Sequence, residues 1–236
     1  MSKPVKVAFV MEGSTDYVVL RAVVRALLKG RDFEPTRVWP ELDANLRPMA
    51  EGGWGAVYKW CRQLLKQGDG PAHDNPVFAM NDMVVMQVDA DVARKKYSDY
   101  GINDPPDDEL FRRTCEKPCP PPSDTSNALR TVMLGWMGET AVPPKAVLCT
   151  PSKSIETWVL VALFPGDADA MSPRIECWWS AEPRLRRYGL IKSGQKLIDK
   201  YVANEKGIQD AWPDVRAKCS EAERFSTDFL ALVSAD

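Results

Sequence analysis

Histidine is almost missing from this chain: of 236 residues only His73 is one. A Ser-His-Asp or Cys-His catalytic arrangement would have to use it, and nothing around Gly70-Pro71-Ala72-His73-Asp74 has the form of a nucleophile elbow. His73 therefore reads as a loop residue. Cysteine is sparse and scattered (Cys61, Cys115, Cys119, Cys149, Cys177 and Cys219), and with one imidazole the paired spacing of a structural zinc site is missing, Cys115 and Cys119 included. No apolar run is long enough to cross a bilayer and no secretory leader is visible, so the expectation is a cytoplasmic protein with reduced thiols and no membrane partner. Repeats and low-complexity tracts are absent as well. Nor is there an excess of either charge: 31 Lys and Arg face 33 Asp and Glu, for a net charge of -2. Any contact with nucleic acid must then rest on local basic patches. The length suffices for a sizeable core, as one domain or one domain with an appendage.

What the chain does have is a pair of apolar runs that stop at carboxylates. Val5-Lys6-Val7-Ala8-Phe9-Val10-Met11 leads into Glu12-Gly13-Ser14-Thr15-Asp16, and Met83-Val84-Val85-Met86-Gln87-Val88 leads into Asp89-Ala90-Asp91. Such runs read as buried strands of a parallel sheet, and α/β folds place ligands outside the carboxyl ends of those strands. Mg²⁺ and Mn²⁺ take oxygen ligands, so acids gathered there suit a hard cation. Asp89 and Asp91, two apart on extended chain, leave the same side. Ser14 or Thr15 can cap a helix, with Asp16 in its first turn. Each acid also has a plainer reading: Glu12 and Asp16 complement a helix dipole, and Asp89 and Asp91 cap a turn.

Strand-Glu-Gly-Ser-Thr-Asp-helix followed by strand-Asp-Ala-Asp resembles the Toprim domain of topoisomerases, primases, recombination-repair proteins and OLD-type nucleases. The resemblance spans roughly residues 4–165. It implies a Toprim-like Rossmannoid α/β fold, with a mostly parallel sheet flanked by helices. It also implies Mg²⁺ or Mn²⁺ held by Glu12, Asp89 and Asp91, with Asp16 matching a further acid of OLD-type members. Ser152-Lys153-Ser154-Ile155-Glu156-Thr157-Trp158 is similar to a segment of small stand-alone Toprim-like proteins found beside ATP-binding-cassette-type ATPases in phage-defence operons. It adds Glu156 as a metal ligand and Lys153 as a cation for phosphate or a developing oxyanion, although Glu156 could equally serve its helix dipole.

Between these motifs the chain alternates helices and strands. Val18, Val19, Ala22, Val23, Ala26 and Leu27 form a helical stripe over about Thr15–Lys29, stopped by Gly30. Residues 36–40 suggest a second strand, with Glu41 and Asp43 as loop. Gly52-Gly53-Trp54-Gly55 opens a helix that Gly68 ends; the cluster lacks the lysine of a P-loop. Residues 99–124 make a long loop insertion, Asp124 to about Met137 a helix, and Lys145–Thr150 a fourth strand. Arg94-Lys95-Lys96-Tyr97 either receives a phosphate backbone, with Tyr97 stacking on a base, or is a solvated helix start. Residues 172–200 carry seven Lys and Arg against three Asp and Glu. There Trp178, Trp179 and Tyr188 interleave with Arg184, Arg186 and Arg187, which suits looped or single-stranded nucleic acid or a docking face for a protein. Residues 166–236 thus read as a basic, Trp-rich segment with C-terminal helices packed on the domain formed by residues 1–165.

The expected function is a metal-dependent nuclease acting in anti-phage defence, with an ATPase of the cassette type and self-association as partners. A primase-like nucleotidyl transferase and a non-catalytic subunit of an ATPase complex are the alternatives.

Overall fold

The structure is a computed structural model that describes residues 3–40, 52–67, 72–103, 115–178 and 181–234. Glu41, Asp43, Gly68, Trp179 and residues 104–114 of the insertion lie outside the described residues. The expected α/β architecture is found. Strands β1 (Val5–Val10), β2 (Phe33–Trp39), β3 (Met83–Gln87) and β4 (Ala146–Cys149) form one sheet in the order β2-β1-β3-β4, and every pairing in it is parallel.

Burial explains the composition of each strand. From Val7 to Val10 and from Val84 to Met86 the residues have no accessible surface, because helices cover both faces of the central strands. β2 is an edge strand whose residues alternate between half-buried and exposed, and it tolerates Pro35 opposite Val7 because the edge leaves one side of its backbone unpaired.

On one face, Val5, Val7, Phe9 and Met11 meet helix α1 (Ser14–Leu28). On the other, Ala8, Val10, Val84 and Met86 meet α2 (Trp54–Gln67). After the short α3 (Pro76–Met80), helix α4 (Ser123–Trp136) joins α2 there through Leu129, Met133 and Trp136. Helix α5 (Glu156–Leu163) belongs to the α1 side, where nearly every residue of it is buried. The chain continues through α6 (Ala168–Met171), α7 (Ala181–Arg187) and a hairpin of β5 (Ile191–Lys192) and β6 (Gln195–Lys196). Helices α8 (Ile198–Ala203), α9 (Glu205–Asp210), α10 (Trp212–Lys218) and α11 (Ser220–Val233) complete it. Tyr201, Ile208, Trp212, Phe225 and Phe229 of these last helices enter the same apolar cluster as β1 and α1. The C-terminal region therefore closes one side of the sheet's core.

The cysteines depart from the expectation of uniformly reduced thiols. Cys119 and Cys177 form a disulfide with Cα atoms 5.6 Å apart, while Cys61, Cys149 and Cys219 are buried thiols. The pairing follows from the path of a loop. The Cys115 and Glu116 amides both donate to the Ala93 carbonyl, at 2.7 and 3.1 Å, and so tie that segment beside the turn after β3. Residue spacing carries no trace of such a path.

Candidate functional site

From β1 the chain moves through α1 to β2 on one side, and from β3 through α4 to β4 on the other. The connections part between β1 and β3, leaving a crevice at the carboxyl ends of those two strands. Glu12 and Asp89 stand on either side of it. Glu12 Oε1 accepts from the Asp89 amide at 2.8 Å, and the Glu12 amide donates to Gln87 Oε1 at 3.2 Å. Gln87 Nε2 donates to Asp89 Oδ1 at 2.8 Å, and the Ile155 amide donates to the same oxygen at 3.0 Å. These bonds lock the ends of β1 and β3 and the turn after β4 into one unit. Asp91 is held from the same turn, its amide donating to the Lys153 carbonyl at 2.9 Å.

Two helix starts deliver the remaining acids. Asp16 lies in the first turn of α1 and Glu156 in that of α5, and both are buried. The glycine pair before α2 braces the cluster from behind. The Gly53 amide donates to the Glu12 carbonyl at 2.8 Å, and a Cβ at Gly52 would stand 2.6 Å from that oxygen, closer than real Cβ atoms approach. Glycine is needed there for close approach to Glu12, and the amide of Gly53 is directed at protein.

Into this group of carboxylates reaches Lys196, at the end of the β5–β6 hairpin. Its Nζ lies 2.6 Å from Glu156 Oε1 and 3.9 Å from Asp16 Oδ1, and the Tyr201 hydroxyl donates to Glu156 Oε1 at 3.4 Å. One ammonium among five carboxylates leaves a surplus of negative charge in a place of low dielectric. Glu12, although partly open to solvent, is pushed up to about 8, first by desolvation and then by the charge of Asp16. Desolvation leads for Asp16 and Asp91 also, raising each to about 6. Burial and then Glu12 raise Asp89 well above the ordinary carboxylate range. For Lys196, burial opposes the charged form, yet Glu156, Asp16 and Asp89 outweigh it and the net shift is upward.

The donor chemistry fits a hard divalent ion: every candidate ligand is an oxygen, and Asp16 Oδ1 and Glu156 Oε2 are buried without a hydrogen-bond donor among the described residues. The arrangement of those oxygens is a separate matter. Among the described residues no three His, Cys, Asp or Glu side chains are grouped so as to hold an ion as they stand. Lys196 occupies part of that space.

Beside the cluster, on the Asp91 side, opens a cavity of about 400 Å³ whose lining includes Asp91, Arg94, Lys153, Ser154, Trp178 and Arg186. Lys153 holds a left-handed backbone, φ 61°, which a non-glycine residue keeps only where its surroundings impose it, and its Nζ lies 3.3 Å from Glu116. The other basic residues named from the sequence divide. Lys95, Lys96 and Arg187 are exposed and do not line the cavity. Arg184 donates to Asp169 at 2.6 Å and sits 3.8 Å from Asp167, so it ties α7 to the start of α6 and is not among the cavity's lining residues. Tyr97 belongs to an aromatic group with Trp54, Tyr58 and Trp136, and its hydroxyl accepts from Trp136 Nε1 at 2.8 Å. Its ring, half-buried, is engaged in this packing, while base stacking is one of two readings the sequence leaves open for it. His73 occupies a short 3₁₀ turn, with Nδ1 3.2 Å from Glu139 Oε1.

Sequence reasoning missed Lys196, Gln87 and Arg37. Arg37, on β2, lies over the Tyr17 ring at 4.8 Å and adds positive charge near Asp16. One signal for Lys196 was present: Ser193-Gly194 both have positive φ, as a two-residue hairpin turn requires, so a hairpin was readable there. Where its last lysine points was not.

No protein-family model matches this chain, and neither a curated protein nor a solved structure does.

Proposed function

We propose that the chain is a divalent-metal-dependent phosphodiesterase that cuts nucleic acid, with Glu12, Asp89 and Asp91 as its central carboxylates and Asp16 and Glu156 beside them. The observation that carries this reading is the convergence of five acids, contributed by two strand ends and two helix starts, on the crevice where the strand order of the parallel sheet reverses. The five acids outnumber the cations that act on them, Lys196, Arg37 and Arg94. Mg²⁺ or Mn²⁺ bound there would supply Lewis acidity toward a phosphate oxygen.

The protein's own groups do the remaining work. Gln87 and the Ile155 amide fix the orientation of Asp89, and the Asp89 amide fixes Glu12. Lys196 offsets the charge of Glu156 and Asp16. Lys153 and Arg94, which line the cavity next to Asp91, attract the phosphate in this reading, and Lys153 steadies negative charge on a departing oxygen. No histidine is needed in this scheme. The resemblance to stand-alone Toprim-like proteins extends the proposal to an effector role in anti-phage defence, with a cassette-type ATPase as partner.

One observation favours a second reading, that of a non-catalytic subunit: Lys196 already neutralises Glu156 as in a closed ion pair, and binding alone requires no ion.

Cleavage of plasmid DNA, single-stranded DNA and RNA by the purified chain with Mg²⁺ or Mn²⁺ separates the two. Asp89→Asn keeps the shape and both hydrogen-bonded neighbours of Asp89 while removing a desolvated charge, so the fold should survive by circular dichroism and cleavage should vanish. Undiminished cleavage by that variant overturns the assignment.

A further inference from the structure

We infer that the cavity beside Asp91 is a seat for one unpaired nucleotide, so that the chain grips single-stranded nucleic acid in preference to duplex. The inference rests on the phosphodiesterase reading for its purpose, and on the cavity's own walls for its content. A volume of about 400 Å³ falls in the range of sites that enclose a small ligand. It fits one nucleotide and excludes a double helix.

The walls come from four separate stretches of chain and differ in chemistry. Arg94 follows the turn after β3, Lys153 and Ser154 come from the turn after β4, and Arg186 comes from α7. Three cations from three directions suit a phosphate group, and Ser154 adds a hydroxyl. Trp178 completes the lining, with 42% of its surface exposed. A large aromatic left that open beside cations offers a flat face for a base, and stacking of this kind needs a base free of a partner strand. Asp91 lines the cavity and is electrostatically linked to Glu156 and Lys196, so a phosphate on the cationic wall stands next to the acid cluster. With Asp91 and Glu182 also in the lining, its three cations exceed its two acids by one.

The Cys119–Cys177 disulfide ends one residue before Trp178, and the Cys177 amide donates to the Arg174 carbonyl at 2.8 Å. The backbone that carries the ring is therefore anchored from both the insertion side and its own 3₁₀ turn, which favours a preformed stacking platform.

Fluorescence anisotropy with labelled 12-nucleotide single-stranded DNA and RNA, each against its duplex as competitor, tests the inference. The titrations run in EDTA, so their outcome does not depend on whether an ion binds the acids, and cleavage is scored separately. Wild type should bind at least one of the two single strands and resist duplex competition. Trp178→Ala and Arg186→Ala should each weaken that binding by about tenfold, with Trp178→Phe restoring most of it. Lys206→Ala, on an exposed residue outside the cavity, should bind like wild type. The inference fails if wild type binds neither strand, if duplex competes equally, if the cavity variants bind unchanged, or if Lys206→Ala loses as much as they do.

Discussion

At the scale of single residues, the acids and Lys196 make the stability of the metal-free protein depend on pH in a definite direction. Glu12 moves from 4.5 to about 8 on folding, and Asp16 and Asp91 from 3.8 to about 6, with desolvation the leading cause in each case. The folded chain thus holds protons that the unfolded chain releases, and stability must fall as pH rises from about 4 to 8. Lys196 adds no slope there, because its raised pKa keeps it charged in both states throughout that window. Thermal melts in EDTA between pH 5 and pH 8 should show a declining midpoint, and saturating Mn²⁺ should flatten the decline by taking the place of the protons. A midpoint that rises over this window without metal contradicts the arrangement. Glu12, Asp89 and Asp91 were legible because each ends or follows an apolar run, and Asp16 and Glu156 because they begin helices. Lys196 lies in a short polar hairpin whose neighbours in sequence are not its neighbours in space, so nothing local announced it.

At the scale of elements, period and burial account for most of what the sequence disclosed. β1 and β3 are apolar on both faces because helices lie above and below them, and β2 is mixed because it is an edge. The strand after residue 145 and the stripe of α1 followed the same rules. Gly52 and Gly53 were readable as a turn, but their role in bracing Glu12 depends on a close approach that only the fold creates. The disulfide and the engagement of Arg184 by Asp169 and Asp167 are tertiary in the same sense. Helix α5 carries Glu156 at its start and is anchored by Trp158, which is buried and meets Trp212 edge-on at a centroid distance of 5.3 Å. Trp158→Ala should cost about 3–5 kcal/mol in urea denaturation, through lost burial and the cavity left behind. A cost below about 1 kcal/mol would mean that α5 and the C-terminal helices do not share one core.

For the molecule as a whole, a parallel sheet with its order reversed between β1 and β3 supplies the crevice, and the C-terminal helices close one side of the core while the hairpin before them delivers Lys196. The α/β class and the parallel sheet were inferable from alternating strand and helix patterns, since those patterns are local. How the C-terminal region folds back was less so, because aromatic residues such as Trp212 and Phe225 announce burial without naming the surface that buries them. A net charge of -2 with Arg94, Lys153 and Arg186 lining one cavity fits local rather than global attraction for a phosphate chain. The most direct measurement is calorimetric titration of the metal-free chain with Mn²⁺ at pH 7, in buffers of different ionisation heat, for wild type and Asp89→Asn. Wild type should bind the ion and release protons from the acid cluster, and Asp89→Asn should bind at least about tenfold more weakly. No binding by wild type, or equal binding by the variant, would contradict a metal centre at these strand ends.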